Sequence, residues 1–507
     1  MGFLNVFNTA LVFPSPKVLD DISFAVVAER VCPKACLDSF YALDTALRVV
    51  AWVVHIIHTT TFLGHNLKTV RVLFLPRRIA TLFTLFSIVV CANAQTMREQ
   101  IAANPNLAGG IYTAYMVTDQ PYVKPPKGFK PFYISHYGRH GSRYQTDQAK
   151  YDVPAAMLDQ AYKDGKLTEL GVSLMRRVRI IADDAHLRAG DLSARGEREH
   201  KEIAERMAKL YPQVFSGKNG NGVTCLSSPY VRSVISMNAF TERLKEFYPK
   251  LNITRYASFH DIDVTRPEKN MDIFFKKARK MAKDYQMEQT RDKEFICRLF
   301  NDYDYAANLI RKSFKSDNTA VFIGNMHDLA MIIQNFDNLP ELHDIFTEEE
   351  RYKMWHFFNI RRYLTYGPSA DFGDIRNQDG KLLLRDIVER ADKVLSGATP
   401  NEVATLRFGH DSAIIPLLAI MHAEGCDGRI SFAEIERLPE VWCDSRITSM
   451  SVNVQFIFYR NKKGDVLVRM LHSERDIRVP VKTDCYPFYK WEDFRKYCVA
   501  QCDPNAR

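Results

Sequence analysis

The sequence is organised around one run, Phe132-Tyr-Ile-Ser-His-Tyr-Gly-Arg-His-Gly-Ser-Arg-Tyr144. Phe132 to Tyr137 is apolar and aromatic, as a buried strand requires, and Gly138 and Gly141 punctuate the residues after it. Arg139, His140 and Arg143 then fall within five residues. Two guanidiniums flanking an imidazole at a strand end suit a phosphate, because each guanidinium offers paired planar donors that match phosphate oxygens. A salt-bridged strand end would give the same triplet, so its meaning depends on what lies downstream.

Downstream, strands and helices alternate. Thr168 and Ser193 each stand where a hydroxyl N-cap would start a helix. The first helix continues with Leu170, Leu174, Val178 and Ile181 at three- and four-residue spacing, and the second runs to about Tyr211. Val223 to Ser228 reads as a buried strand that turns at Pro229 into a helix carrying Arg232. Ala404 to Phe408 is a further strand, with Gly409-His410-Asp411 at its exit and a helix from Ser412 to Met421. Strand, loop and helix in repetition predict an α/β fold with a mainly parallel sheet flanked by helices. Between about 256 and 400 the texture is helical, charged and aromatic, which predicts a mostly helical cap inserted between core segments 95–255 and 401–507. Residues 95–130, rich in Pro and Gly, read as a lead-in loop. Val452–Tyr459 and Val466–His472, around Asn461 to Asp465, predict a terminal hairpin.

Ligands of open α/β sheets bind beyond the carboxyl ends of the strands. If the strands are neighbours, three exits bring together Arg139, His140, Arg143, Arg232, His410 and Asp411. Three guanidiniums, two imidazoles and one carboxylate are what phosphomonoester hydrolysis without a metal or other cofactor needs: an attacking imidazole, cationic support for the phosphoryl oxygens and an acid for the leaving alcohol.

Arg-His-Gly-x-Arg followed far downstream by His-Asp resembles the histidine acid phosphatase family, the second branch of the histidine phosphatases, over about residues 110–495. The resemblance implies His140 as nucleophile, Arg139, Arg143, Arg232 and His410 as phosphate ligands, and Asp411 as proton donor. Arg232 rests only on its place in Ser228-Pro-Tyr-Val-Arg-Ser233. It also implies a small phosphomonoester as substrate, with inositol polyphosphates such as phytate favoured over sugar phosphates. The main enzymatic rival is a sugar-phosphate or broad-specificity phosphatase. A phosphate-binding protein on the same scaffold is the non-enzymatic one. Two features depart from the family pattern. Gln145 stands where Pro is common, and His410-Asp411-Ser412 replaces the His-Ala-Glu of the multiple inositol polyphosphate phosphatases. His422-Ala-Glu424 spells that tripeptide, but twelve residues of helix place it roughly 18 Å from His410.

Composition adds bounds. The chain has 507 residues and a formal charge of +9, with no Lys/Arg run of the kind that binds nucleic acid. Arg77-Arg78, the apolar run Ile79–Val90 and Ala92-Asn93-Ala94 have the layout of a secretory signal peptide, predicting cleavage after Ala94 and a secreted or periplasmic product with no stable membrane partner. Residues 1–69 then read as a doubtful extension, either an unusual one or the result of a start assigned too far upstream. Cys498/Cys502 and Cys426/Cys443 are the disulfide pairs to check in an exported chain, and no Cys/His spacing resembles a zinc site. Asp427 to Glu434 resembles half an EF-hand loop. Its first positions would fall on Ala423 and Gly425, so a turn and a capped helix are expected instead. His200, His260 and His327 read as structural or exposed, and His136 and Tyr137 as packing or site-shaping. Trp355 and Asn359, one helical turn apart, face either core or substrate.

Overall fold

The computed structural model describes residues 95–117, 122–267, 272–289 and 292–503. The leader at 70–94 and the extension at 1–69 lie outside the described residues.

β1 (Lys130–Arg139) runs through an eight-stranded sheet. With β2 (Gly222–Ser227), β3 (Asn252–Ala257), β4 (Glu402–Gly409), β5 (Asn453–Arg460), β6 (Val466–His472) and β7 (Arg475–Asp476), the order is β3-β2-β4-β1-β5-β6-β7, and β8 (Phe488–Lys490) pairs with β6. The pairs β3-β2, β2-β4 and β4-β1 are parallel, and the remainder are antiparallel. The hairpin expected near the C-terminus is the β5-β6 pair.

Helices cover both faces, so β1 is buried from Pro131 to Arg139 instead of alternating. Ile134 packs with α2 (Ala194–Leu210) and α3 (Val231–Phe247), which follow α1 (Glu169–Asp184) in the chain. Tyr133 and Tyr137 belong to the opposite core, where they join side chains of α6 (Gly373–Leu395), α7 (Asp411–Ile420) and α8 (Trp491–Cys502). Between β3 and β4 the described residues are helical and irregular, without a strand. They include α4 (Ala320–Ile332) and α5 (Glu348–Tyr366). The caps read from sequence form: Thr168 accepts from Gly171 N and Ser193 from Gly196 N.

Three expectations are corrected. The lead-in is not merely a loop. Met97–Ala103 is a helix started by a reciprocal Thr96/Glu99 capping box, with Met97 and Ile101 buried, and a 3₁₀ segment follows over Pro105–Tyr112. The suggested disulfides do not form: all seven cysteines of the described residues are free thiols. Cys443 Sγ faces the Pro439 carbonyl at 3.4 Å and Cys502 Sγ that of Lys381 at 3.7 Å, so each has a local acceptor instead of a partner sulfur. The capped helix expected after Asp427 is a short 3₁₀ turn, Phe432–Arg437, behind a Ser431/Glu434 box.

Candidate active site

Strand register decides where the motif residues meet. Arg139 is level with Gly409 across the parallel β1-β4 pair, and Ser227 is level with Phe408 across β2-β4. The next residues, His140, His410 and Ser228, therefore leave neighbouring strands side by side. β4 lies between β1 and β2, so this is also where the chain order reverses within the sheet.

Tight packing holds the loop after β1. An added Cβ on Gly141 would lie 2.7 Å from Gly196 Cα, so the loop rests directly on the first turn of α2. Gly141 N donates to Ser236 Oγ of α3 at 3.1 Å, and Ser142 N donates to the buried Glu199 carboxylate of α2 at 3.0 Å. Ser142 Oγ donates to the same carboxylate at 2.7 Å, as does Ser451 Oγ. Gln145, in the place where the family often has Pro, is buried and stiffens the loop by other means. Its amide N–H donates to Tyr151 Oη, Tyr112 Oη donates to its Oε1, and its Nε2 donates to the Asp328 carbonyl.

Each of the three arginines of the expected cradle keeps its Nε unspent on protein among the described residues. Arg139 is buried, and its Nη1 donates to the carbonyls of Ile111 and Thr448, both at 2.7 Å. The Nε atoms of Arg139, Arg143 and Arg232 are buried without a hydrogen-bond partner among the described residues. Buried donors normally have partners, so three on converging guanidiniums mark a place for an anionic acceptor. Burial, with the mutual repulsion of the guanidiniums, lowers Arg139 and Arg232 to about 10, so both remain charged at neutral pH.

Both imidazoles are held neutral. His140 lies well below the usual histidine range because of burial, reinforced by Arg139, Arg232, His410 and Arg143. His140 Nδ1 sits 2.9 Å from the Gly141 carbonyl. A carbonyl only accepts, so Nδ1 carries the proton and Nε2 the lone pair. Burial, then Arg232 and Arg266, likewise depress His410, whose Nε2 lies 3.0 Å from Ser228 Oγ. Tyr137 shapes the site: its Oη donates to the Thr265 carbonyl at 2.7 Å and accepts from His410 N at 3.0 Å. His136 points away, packed between Phe240 and Phe408.

Asp411 opens α7, where a carboxylate is favoured by the positive helix end. Burial would raise its pKa, but Arg362 and Arg139, with His410 and Arg143, override that and hold it well below the usual carboxylate range. Arg362 Nη1 is 3.1 Å from Asp411 Oδ2. The site is thus a set of cations, two neutral imidazoles and one ionised acid, a combination that can bind a phosphate and offer it a nitrogen lone pair.

A family model described as the histidine phosphatase superfamily (branch 2) matches residues 138–473. The chain belongs to that superfamily. It is 20% identical over 329 residues to human multiple inositol polyphosphate phosphatase 1, covering 61% of this chain and 65% of the human protein. It therefore spans slightly less than two thirds of that relative. Among solved structures it is similar to the multiple inositol polyphosphate phosphatase of Bifidobacterium longum in complex with phosphate, at TM-score 0.65, 16% identity and coverage of 79% of this chain and 99% of that one. The phytase from D. castellii is similar at TM-score 0.56, 14% identity and coverage of 78% and 85%. These two structures share the fold.

All six motif residues of this superfamily member fall in one place. Several neighbours were not read from the sequence. Arg266 stacks over Tyr230, whose ring meets His410 edge to face at 5.2 Å. Arg361-Arg362 inside an otherwise aromatic, apolar stretch of helix was a usable signal, since a charged residue there needs a buried partner. Trp355 and Asn359 do not face a substrate. Both are fully buried and hold Asp444: Trp355 Nε1 donates to its Oδ1 at 3.2 Å, and Asp444 N donates to Asn359 Oδ1 at 2.9 Å. His422 is a surface residue 3.3 Å from Asp427.

Proposed function

We propose that this protein is a phosphomonoesterase working through a phosphohistidine on His140. The observation that carries the reading is His140 Nδ1 at 2.9 Å from the Gly141 carbonyl, which as an acceptor takes the Nδ1–H and leaves Nε2 free, among guanidiniums with unpartnered donors. Arg139, Arg143, Arg232 and His410 hold the phosphoryl oxygens and stabilise the charge on them. His140 Nε2 attacks phosphorus as the bond to the alcohol breaks, and Asp411, protonated from solvent in the substrate complex, gives its proton to the departing alcohol oxygen. Water then attacks the phosphohistidine while the Asp411 carboxylate takes the water's proton. Phosphate leaves with His140 again neutral, and Asp411 releases to solvent the proton it took from water.

Inositol polyphosphates, phytate among them, are the favoured substrates. The human and Bifidobacterium longum relatives, multiple inositol polyphosphate phosphatases by name, support this class, as do the additional arginines around the site. His-Asp in place of His-Ala-Glu favours a second reading, a sugar-phosphate or broad-specificity phosphatase. The run Arg77 to Ala94 supports export, which a mature N-terminus at Gln95 would verify.

The test is phosphate release from phytate, glucose phosphates and an aryl phosphate without added metal, for wild type, His140→Ala and Asp411→Asn. Loss in both variants is expected. Equal activity in all three rules the mechanism out.

A further inference from the structure

The acid at the site is not ready to act. Asp411 is ionised before substrate binds, yet the proposed reaction needs it protonated at the moment the alcohol leaves. The groups that act on it are Arg139 and Arg143 from the end of β1, Arg232 from α3, its neighbour His410, Tyr137 of β1 and Arg362 of α5. Arg139, Arg143 and Arg232 are the phosphate cradle. Arg362 differs from them: it comes from a helix between β3 and β4 and approaches the carboxylate itself, Nη1 to Oδ2, at 3.1 Å.

Two further features define this contact. Asp411 Oδ2 is buried without a properly directed hydrogen bond, so the pair is held by charge and proximity and not by a locked fork. Arg362 is also steadied from elsewhere. Its guanidinium lies 4.9 Å from the Tyr366 ring, and it lines a small pocket with Tyr112, Asp328, Arg361 and Asp444. Burial disfavours its charge, but Asp411, Tyr366 and Asp444 more than offset this and keep it cationic. Asp444 is a second buried carboxylate, at the start of the short helix Asp444–Ile447 and away from α7, and Arg362 is common to both.

We propose that Arg362 is a positioning residue for the catalytic acid: it keeps Asp411 a carboxylate until substrate binds, and a tetrahedral dianion in the cradle draws that cationic support away so that Asp411 takes up a proton from solvent. A bound dianion offsets the positive charge of Arg139, Arg143, Arg232 and Arg362 together, leaving burial as the main influence on the carboxylate. Protonation of the acid is then coupled to occupancy of the cradle. This rests on the reading of Arg139, Arg143 and Arg232 as a phosphate cradle, but not on turnover.

Proton uptake on binding sulfate tests it without catalysis. Sulfate is a tetrahedral dianion with no proton of its own to exchange near pH 5. Titration calorimetry of the full chain in buffers of different ionisation enthalpy counts the protons taken up. Subtracting the count for Asp411→Asn isolates the contribution of Asp411 from that of the two imidazoles. The expected result is an Asp411-dependent uptake approaching one proton in wild type, reduced at least twofold in Arg362→Met and restored in Arg362→Lys, with all three variants folded by circular dichroism. Equal uptake in wild type and Arg362→Met overturns the proposal, as does failure of wild type to bind sulfate. Uptake as expected in a protein that releases no phosphate from any substrate would leave the coupling standing and remove the proposed function instead.

Discussion

The ring of His140 meets that of His410 edge to face, with centroids 5.3 Å apart and an interplanar angle of 70°. The contact follows from β1 and β4 being parallel neighbours in a register that levels Arg139 with Gly409. Two protonated imidazoles could not share that space beside Arg139 and Arg232, and each ring is accordingly held neutral. His140, the proposed nucleophile, is thus held neutral by its surroundings.

The acid should matter in proportion to how badly the leaving group needs a proton. Asp411→Asn should lower kcat about 10²–10⁴-fold on an alkyl phosphate. On an aryl phosphate such as nitrophenyl phosphate, whose leaving group departs without help, the loss should be far smaller. Steady-state kinetics on the two substrates give the comparison, and equal losses would remove Asp411 from the role of acid.

Gly141 is needed for space. A methyl there would press on the Gly196 backbone, which cannot swing aside as a side chain would. Gly141→Ala should destabilise the protein by about 1–3 kcal/mol, the usual cost of overpacking. It should also raise KM by moving the loop that carries His140 and Arg143. Urea denaturation and kinetics measure the two effects, and a variant unchanged in both would refute the packing argument.

Glu199 anchors the same loop from behind. Removing its carboxylate leaves Ser142 N and the Ser451 hydroxyl without that acceptor, while Ser142 Oγ keeps Asn335 Oδ1 at 2.7 Å. A stranded buried donor costs about 1–3 kcal/mol, so Glu199→Ala should lose about that much or more, with Glu199→Gln in between because one acceptor oxygen remains. Thermal or chemical unfolding of the three proteins should give that order.

Stability should decline with acidification through a defined window. Burial keeps His136 neutral down to about pH 3 and His200 down to about pH 4. In the unfolded chain both take up protons near pH 6.5. Below about pH 6.5 the unfolded state therefore binds protons that the native state refuses, and each histidine costs up to about 1.4 kcal/mol per pH unit until its folded value is reached. Urea midpoints measured from pH 7 to 4.5 should fall, less steeply in His200→Leu. A flat profile for wild type would contradict the burial of these rings as neutral groups.

Much of the scaffold was legible in local patterns. The apolar run before Gly138, the hydroxyls at Thr168 and Ser193, and the alternation around Asn461 to Asp465 each report which residues must be buried or capped. Those requirements are met within a few residues along the chain. The Thr96/Glu99 capping box was equally local and shows that the lead-in could have been read as helix from the same rule.

The sequence alone determined that Arg139, His140 and Arg143 leave one strand together, and that His410 and Asp411 leave another. Whether those exits meet depended on β4 inserting beside β1 and on a register that a shift of one residue would have undone. Only the tertiary structure decided that Arg362 reaches Asp411, that Glu199 seats Ser142, and that Trp355 and Asn359 serve Asp444 and not a ligand. The periodicity of a helix states that a face is buried, but not what lies against it. A charged side chain on that face finds its partner only when helices far apart in the sequence close around the same pocket, and that closure is a property of the whole packed molecule.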